Sequence, residues 1–212
     1  YLTSGNIIIL FVIAINLEMS IIQKDGPYSW FYLTATCIVS FTIIGLGDSI
    51  GIIVAVFIDH LNESNAKGGW IASMVYFLAL ALSPIVVYVH ERVGFRWCMF
   101  IASVLYAFSL CVTPFMTDLN VVFLTYSIPF GCSLSLVSTL SVITLREYFS
   151  KYFGFAVGLR FSGNAIGSVA VSFVLPIILA EAGYKMTFVS LLVFAPIILC
   201  YGFVARHPHV HQ

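Results

Sequence analysis

Apolar residues fall into six long runs along the chain, separated by short polar breaks. A helix needs about 20 apolar residues to cross the hydrocarbon core of a membrane, and every run reaches that length. The runs cover residues 30–61, 70–89, 95–116, 121–145, 153–179 and 186–205. Helices satisfy their own backbone hydrogen bonds in lipid, and short connections favour antiparallel neighbours in one bundle. The pattern therefore predicts an all-α polytopic membrane protein with a bundle of six transmembrane helices.

This pattern divides the chain into three parts. Residues 24–206 form the predicted six-helix transmembrane domain, and residues 207–212 begin a cytoplasmic tail or central loop. Residues 1–23 are apolar but short, and they contain Asn16 and Glu18. An interfacial helix, a signal-like segment, a seventh span and an artefact of gene prediction all stay open for this stretch. A signal peptide is disfavoured, because no basic segment precedes the apolar run.

The composition limits the kinds of function that the protein can have. Hydrophobic residues make up 61% of the 212 residues and charged residues only 8%, whereas a soluble domain carries roughly 25% charged residues. The net charge is +0, so the basic field that nucleic-acid binding requires is missing. No catalytic triad, metal cluster or phosphate-loop spacing is present, and His207, His209 and His211 are interpreted as an exposed tail cluster. We expect no enzyme activity, no metal and no cofactor.

Basic residues set the expected orientation. With the amino terminus in the cytoplasm, six basic residues lie inside and two lie outside. The inner set is Lys24, Arg92, Arg96, Arg146, Lys151 and Arg206, and the outer set is Lys67 and Lys185. We therefore predict an integral membrane protein with a cytoplasmic amino terminus, and we take the plasma membrane as its location.

Two connections between predicted helices resemble each other. Residues 84–96 join the second helix to the third, and residues 176–185 join the fifth to the sixth. Each begins with a proline, contains an acidic residue and ends in glycine, an aromatic residue and a basic residue. This similarity favours a 3+3 inverted repeat, as many transporter halves show.

Three motif-like stretches lie at the ends of predicted helices. Residues 25–30 read DGPYSW before the first helix, and residues 91–96 read ERVGFR between the second and third. Residues 148–151 read YFSK and lead into the fifth helix, where Gly158, Gly163 and Gly167 are spaced for close helix contact. The residues assigned to these motifs are Asp25, Gly26, Trp30, Glu91, Arg92, Gly94, Arg96, Tyr148, Phe149 and Lys151.

In their order and placement, these stretches resemble motifs of the monocarboxylate transporter family within the major facilitator superfamily, over residues 24–207. The first is similar to a D-G-G-[YW]-G-W motif, the second to a D-R-x-G-R loop that holds one conformation of the transport cycle, and the third to the signature before helix five. The resemblance implies a secondary transporter that moves a small organic acid or related metabolite by alternating access, with proton coupling as an option. It also implies a carboxyl-terminal six-helix half and, as an open addition, a single-span accessory protein, besides the lipid bilayer and the substrate.

Two charged side chains lie inside predicted helices, where a charge costs about 2.5–3.5 kcal/mol on insertion scales. Asp48 stands 18 residues beyond Trp30, where the resemblance implies a lysine that binds the substrate carboxylate. Arg160 stands where the family usually has alanine, and Asn164 shares its helical face. We expect Arg160, with Asn164 beside it, to bind an anionic group and Asp48 to take a proton or a cationic group. Tyr76 is expected to line the path.

Other interpretations stay open. Asp48 and Arg160 can instead form a structural ion pair, or lie at the lipid interface. The protein can be a transport-inactive family member that acts as a membrane scaffold or regulator, because Phe153 and Val157 stand where carboxylate transporters often carry Arg and Asn. A seven-helix receptor that includes the amino-terminal segment is a further alternative, although this topology inverts the charge bias.

Overall fold

The computed structural model describes residues 25–48, 51–52, 54–55, 58, 65–115 and 119–204. This part of the chain is helical almost throughout and contains no strand, so the predicted all-α class is confirmed. Residues 1–24, which include the amino-terminal segment of open status, lie outside the described residues. The tail at 205–212, with its three histidines, also lies outside them.

Eight α-helices have defined bounds in the described chain, and further helical residues are described at 51–52, 54–55 and 58. The eight helices are α1 (Pro27–Asp48), α2 (Asn65–Ala81), α3 (Ser83–Val93), α4 (Phe95–Val112), α5 (Leu119–Val122), α6 (Ile128–Tyr148), α7 (Phe153–Leu192) and α8 (Ala195–Val204). A short 3-10 turn, Thr113–Phe115, follows α4. A π-helical turn, Phe123–Ser127, joins α5 to α6.

Four helical segments of the described residues are long and apolar enough to cross a membrane. They are Pro27–Asp48, Phe95–Phe115, Phe123–Tyr148 and Phe153–Glu181. Helices α2 and α3 form a fifth span if they are counted together. They are bent by 49° relative to each other at a short break. The last apolar helix, Ser190–Phe203, is shorter. The bundle is thus a membrane bundle, while the count of six spans stays a prediction.

Two glycines reverse the chain between spans. Gly94 separates α3 from α4 with φ 90° and ψ 159°, and Gly183 interrupts α7 with φ 76° and ψ 171°. This backbone region is essentially open only to glycine. The two residues occupy matching positions in the connections at 84–96 and 176–185, so their shared conformation agrees with the predicted repeat. The prolines of the two connections differ, because Pro84 lies in the first turn of α3 whereas Pro176 lies inside α7.

Glycines bring α1 and α7 into close contact. A methyl group added at Gly45 would lie 2.7 Å from the carbonyl carbon of Gly167, and one added at Gly163 would lie 3.3 Å from a carbonyl oxygen of α1. A methyl group at Gly167 would overlap the backbone of Phe41. The predicted packing role of Gly163 and Gly167 is therefore confirmed. For Gly158 it is wrong in this structure, because Gly158 faces open space on the exposed side of α7.

The remaining helices pair in a pattern that matches a duplicated unit. Gly131 of α6 packs on α2, where an added methyl group would lie 3.1 Å from the carbonyl oxygen of Val75. Ser103 of α4 donates a hydrogen bond to the carbonyl of Ala195 in α8 at 3.0 Å. The predicted first helix thus packs on the fifth, the second on the fourth and the third on the sixth. These pairings are unchanged when helices one to three are exchanged with helices four to six, as a 3+3 repeat requires.

Candidate functional site

Asp48, at the end of α1, is hydrogen-bonded to Tyr76 of α2. The Tyr76 hydroxyl donates to Oδ1 of Asp48 at 2.9 Å. Asp48 is exposed and Tyr76 is 38% exposed, so the pair lies on an open face of the bundle and not in its core. A carboxylate in this position can exchange a proton or bind a cationic group. The structure therefore brings together two of the four residues predicted to bind substrate or an ion.

Arg160 of α7 is buried between helices, with 1% of its surface exposed. Its Nη2 atom donates to the carbonyl oxygen and to the hydroxyl of Ser138 in α6, both at 3.4 Å. Its guanidinium carbon lies 5.3 Å from the centre of the Phe161 ring. The side chain is buried inside this half because the Arg160 face of α7 is turned toward α1 and α6. The predicted role of Arg160 in binding an anionic group stays a prediction.

Asp48 and Arg160 are far apart along the membrane normal. Gly163 packs on Cys37, so Arg160, about one turn earlier on α7, lies near the level of Thr34. The helical rise from Thr34 to Asp48 is roughly 20 Å. A direct ion pair between the two charges is therefore wrong for this structure, and each side chain has its own partner.

Asn164 follows Arg160 by one turn on α7. The side chain is half-buried, and its Oδ1 atom is buried without a hydrogen-bond donor in the described part of the chain. Asn164 thus lies beside Arg160, as predicted from the helical spacing, while its binding role stays a prediction.

Asp25 connects the start of α1 to the start of α7. Its carboxylate accepts backbone N–H bonds from Ser150 at 3.3 Å, Lys151 at 3.1 Å and Tyr152 at 3.5 Å. Its own backbone N–H donates to the carbonyl of Tyr148 at 3.1 Å. These N–H groups belong to the turn just before α7, so the carboxylate caps that turn, and its negative charge lies close to the positive end of the α7 dipole. The acidic residue that precedes α1 thus interacts with the turn before α7.

Aromatic residues extend the contact between the first and third motifs. Trp30 meets Phe149 edge-on, with ring centres 5.5 Å apart. Tyr148 is buried and stacks on Tyr32, with ring centres 4.4 Å apart. Gly26 contributes its carbonyl oxygen to the first turn of α1. Two motifs that are separate in sequence therefore form one structural unit at the end of the bundle that is predicted to be cytoplasmic.

The second motif lies in the turn from α3 to α4. Glu91, Arg92 and Arg96 are exposed, and the guanidinium carbon of Arg92 lies 5.2 Å from the centre of the Tyr88 ring. Within the described ranges, none of these three residues forms an ion pair. Gly94 makes the turn itself. The expected role of the three charges in holding one conformation of a transport cycle stays a prediction.

A buried hydroxyl network joins α1, α6 and α8, and the sequence reasoning missed it. Tyr32 donates to Thr144 at 2.8 Å and shares a hydrogen bond with the hydroxyl of Tyr201. The hydroxyls of Thr36 and Tyr201 are 3.1 Å apart. The spacing of Tyr32 and Thr36 on one helical face was a visible signal, but their partners lie more than 100 residues away.

The described residues contain no group of three or more His, Cys, Asp or Glu side chains that could hold a metal ion. The polar side chains of the site are carboxylate, phenol, hydroxyl, amide and guanidinium groups. Such groups can exchange protons and bind small polar or charged solutes by hydrogen bonds.

Comparison with known families identifies the class. The chain matches the family model "Major Facilitator Superfamily" over residues 31–212. This match covers most of the chain, and the chain therefore belongs to the Major Facilitator Superfamily, whose members are membrane transporters.

Individual relatives show which members of that superfamily the chain resembles. The chain is 22% identical to Monocarboxylate transporter 10 of Danio rerio over 183 residues, covering 84% of this chain and 36% of that protein. It is 26% identical to Monocarboxylate transporter 11 of Homo sapiens over 161 residues, covering 76% and 34%. It is 24% identical to the MFS-type transporter pynF of Aspergillus niger over 193 residues, covering 88% and 44%. The chain spans less than half the length of these relatives, and the predicted resemblance to monocarboxylate transporters is confirmed.

Proposed function

We propose that this chain forms one half of a secondary transporter that carries a small organic acid or related metabolite by alternating access. In this proposal Asp48 is the proton-coupling group and Tyr76 positions it. The observation that carries the proposal is the hydrogen bond between the Tyr76 hydroxyl and the Asp48 carboxylate on an open face of the bundle. The names of the relatives support the transporter class.

The position of the pair supports a role at a cavity between two halves. A charge in a membrane helix is costly unless it faces water or a partner. Asp48 is exposed in this half, and the chain covers only 34–44% of the relatives described above. A second half of similar size would cover the open face and leave a space between the halves, where ligand sites of such transporters lie.

Proton binding at Asp48 would change the affinity for an anionic solute. An ionised Asp48 accepts a hydrogen bond from the Tyr76 hydroxyl and repels a substrate carboxylate that approaches the pair. Protonation removes this repulsion and turns Asp48 into a hydrogen-bond donor. Proton binding to Asp48 therefore favours binding of the anion. Release of the proton favours release of the anion, and release of the anion favours release of the proton. This linkage gives symport when the carrier changes its access only with both the proton and the anion bound, or with neither.

Uptake into proteoliposomes tests the proposal. The full-length protein is reconstituted, and a panel of labelled small monocarboxylates is supplied with and without an inward proton gradient. For the solutes that the unmodified protein accumulates, Asp48→Asn is expected to abolish the gradient-driven accumulation but to keep exchange at equal pH. Tyr76→Phe is expected to reduce accumulation by about tenfold, because a hydrogen bond to a charged group contributes about 1.5–3 kcal/mol.

The matched control is Tyr88→Phe, which removes a phenol hydroxyl at the turn between α3 and α4 without touching Asp48. It is expected to transport at the normal rate. Undiminished gradient-driven accumulation by Asp48→Asn would show that the coupling group lies elsewhere. Failure of the unmodified protein to carry any member of the panel would count against the substrate class and favour the scaffold alternative.

A further inference from the structure

The buried guanidinium of Arg160 has no carboxylate partner among the described residues. Guanidinium carries five N–H donors, but the described hydrogen bonds use only Nη2, at 3.4 Å to Ser138. Its Nε atom is buried and has no acceptor in that part of the chain. A buried charge without a counter-charge costs several kcal/mol. The protein therefore needs an additional negative group close to Arg160.

Other buried polar atoms without partners lie within about two helical turns of Arg160. They are the hydroxyls of Ser40 and Ser135 and the Oδ1 atom of Asn164. Asn164 is one turn beyond Arg160 on α7, and Ser135 is about one turn from Ser138 on the antiparallel α6. Two helices thus contribute polar groups to the same layer of the bundle.

The third helix, α1, completes this layer. Its Cys37 and Phe41 pack on Gly163 and Gly167 of α7, which places Ser40 beside the segment that contains Asn164. Ser40 and Ser135 are fully buried. The layer between α1, α6 and α7 thus combines one positive charge with hydroxyl groups that have no partner in the described chain, and hydroxyl groups can donate to an anion.

We propose that this layer binds a small monovalent anion, held by Arg160 and by the hydroxyls of Ser138 and Ser135. One guanidinium balances one negative charge, so a divalent anion would leave an uncompensated charge in the bundle. Ser138 and Asn164 lie at the edge of the layer, where both are half-buried. Chloride and the carboxylate of a small organic acid share the required chemistry. For a substrate carboxylate the inference rests on the proposed transport function, whereas for chloride it does not.

Thermal unfolding of the full-length protein in detergent tests the inference. The unfolding temperature is measured in sulfate, chloride and acetate at equal ionic strength. A ligand at about 100 times its dissociation constant is expected to raise that temperature by about 3 °C for a protein of the relatives' size. We expect this rise in chloride or acetate relative to sulfate, and we expect Arg160→Gln to abolish it.

Two further variants keep the test decisive if Arg160→Gln does not fold. Ser138→Ala keeps the charge but removes a hydroxyl donor, and it is expected to raise the half-maximal anion concentration about tenfold. Ser162→Ala is the matched control on α7, because Ser162 is exposed and donates only to Gly158 of its own helix at 3.1 Å. It is expected to bind the anion normally.

The outcomes separate the two sources of the anion. A larger rise in acetate than in chloride identifies a carboxylate subsite, and the reverse identifies an inorganic anion site. Equal unfolding temperatures in all three salts, or an unchanged half-maximal concentration in Ser138→Ala, would overturn the inference. Asp48→Asn should keep the anion-dependent rise. Loss of proton coupling and loss of anion binding are therefore distinguishable.

Discussion

Substitution of Asp25 separates two properties of this residue, its carboxylate and its backbone conformation. The carboxylate accepts three backbone N–H bonds at the start of α7. The backbone has φ 64°, which places Asp25 in the left-handed region, where a side chain costs about 1–2 kcal/mol relative to glycine. Asparagine and aspartate tolerate this region better than alanine does. Asparagine, glycine and alanine should therefore destabilise the protein to different degrees.

The expected free energies follow from these two properties. Asp25→Ala loses the cap, which costs about 0.5–2 kcal/mol, and keeps a side chain in the left-handed region. Asp25→Gly loses the same cap but relieves the backbone, so it should be less destabilising than Asp25→Ala by about 1 kcal/mol. Asp25→Asn keeps one acceptor oxygen and loses mainly the interaction of the charge with the helix dipole, about 0.3–1 kcal/mol. Both Asp25→Asn and Asp25→Gly are therefore expected to be more stable than Asp25→Ala.

The assay is thermal unfolding of the full-length variants in one detergent, read as the temperature at which half of the folded protein is lost. Ser150→Ala is the control, because Ser150 contacts Asp25 through its backbone N–H, which alanine keeps. This variant should unfold at the same temperature as the unmodified protein. Equal unfolding temperatures for Asp25→Ala and Asp25→Gly would refute the backbone argument. An Asp25→Asn variant as unstable as Asp25→Ala would refute the capping argument.

Three further predictions concern packing. Gly167→Ala places a methyl group against the backbone of α1 and should destabilise the protein by about 1–3 kcal/mol. Gly158→Ala should change stability by less than about 0.5 kcal/mol. Equal yields of the two folded variants on size-exclusion chromatography would contradict this difference. Gly94→Ala should cost about 1–3 kcal/mol in thermal unfolding because of its positive φ, and an unchanged unfolding temperature would rule that out. Thr144→Val should cost about 0.5–1.5 kcal/mol. That cost should disappear in a Tyr32→Phe background, and a cost that persists would exclude the hydrogen bond as its cause.

The fold class was predictable because the length of an apolar run is a local property. The ends of the helices were less so. The run at 70–89 is divided in the structure into α2 and α3 at Leu82, and Pro84 was the local signal for this break. Hydropathy reports solvent preference and does not mark where a helix bends or stops.

The candidate site was only partly predictable, because the rotation of each helix about its axis depends on packing. Arg160 and Asn164 were correctly placed on one face of α7. That this face turns toward α1 and α6, and not toward open space, follows from the contacts of Gly163 and Gly167 with α1. Gly158 is also a glycine of α7 and was predicted to pack in the same way, but it lies on the other face of that helix. The link between Asp25 and α7 joins residues more than 120 positions apart, which no local pattern reveals.

The turn at Gly94 has a consequence for how the bundle can move. A single residue lies between the end of α3 at Val93 and the start of α4 at Phe95, so the connection has no slack. The ends of α3 and α4 therefore stay joined when either helix tilts, and any change in the angle between them must be taken up by the backbone of Gly94. The same reasoning applies to the two segments of α7 on either side of Gly183. Inserted tags or labels at these two glycines would force the helices apart.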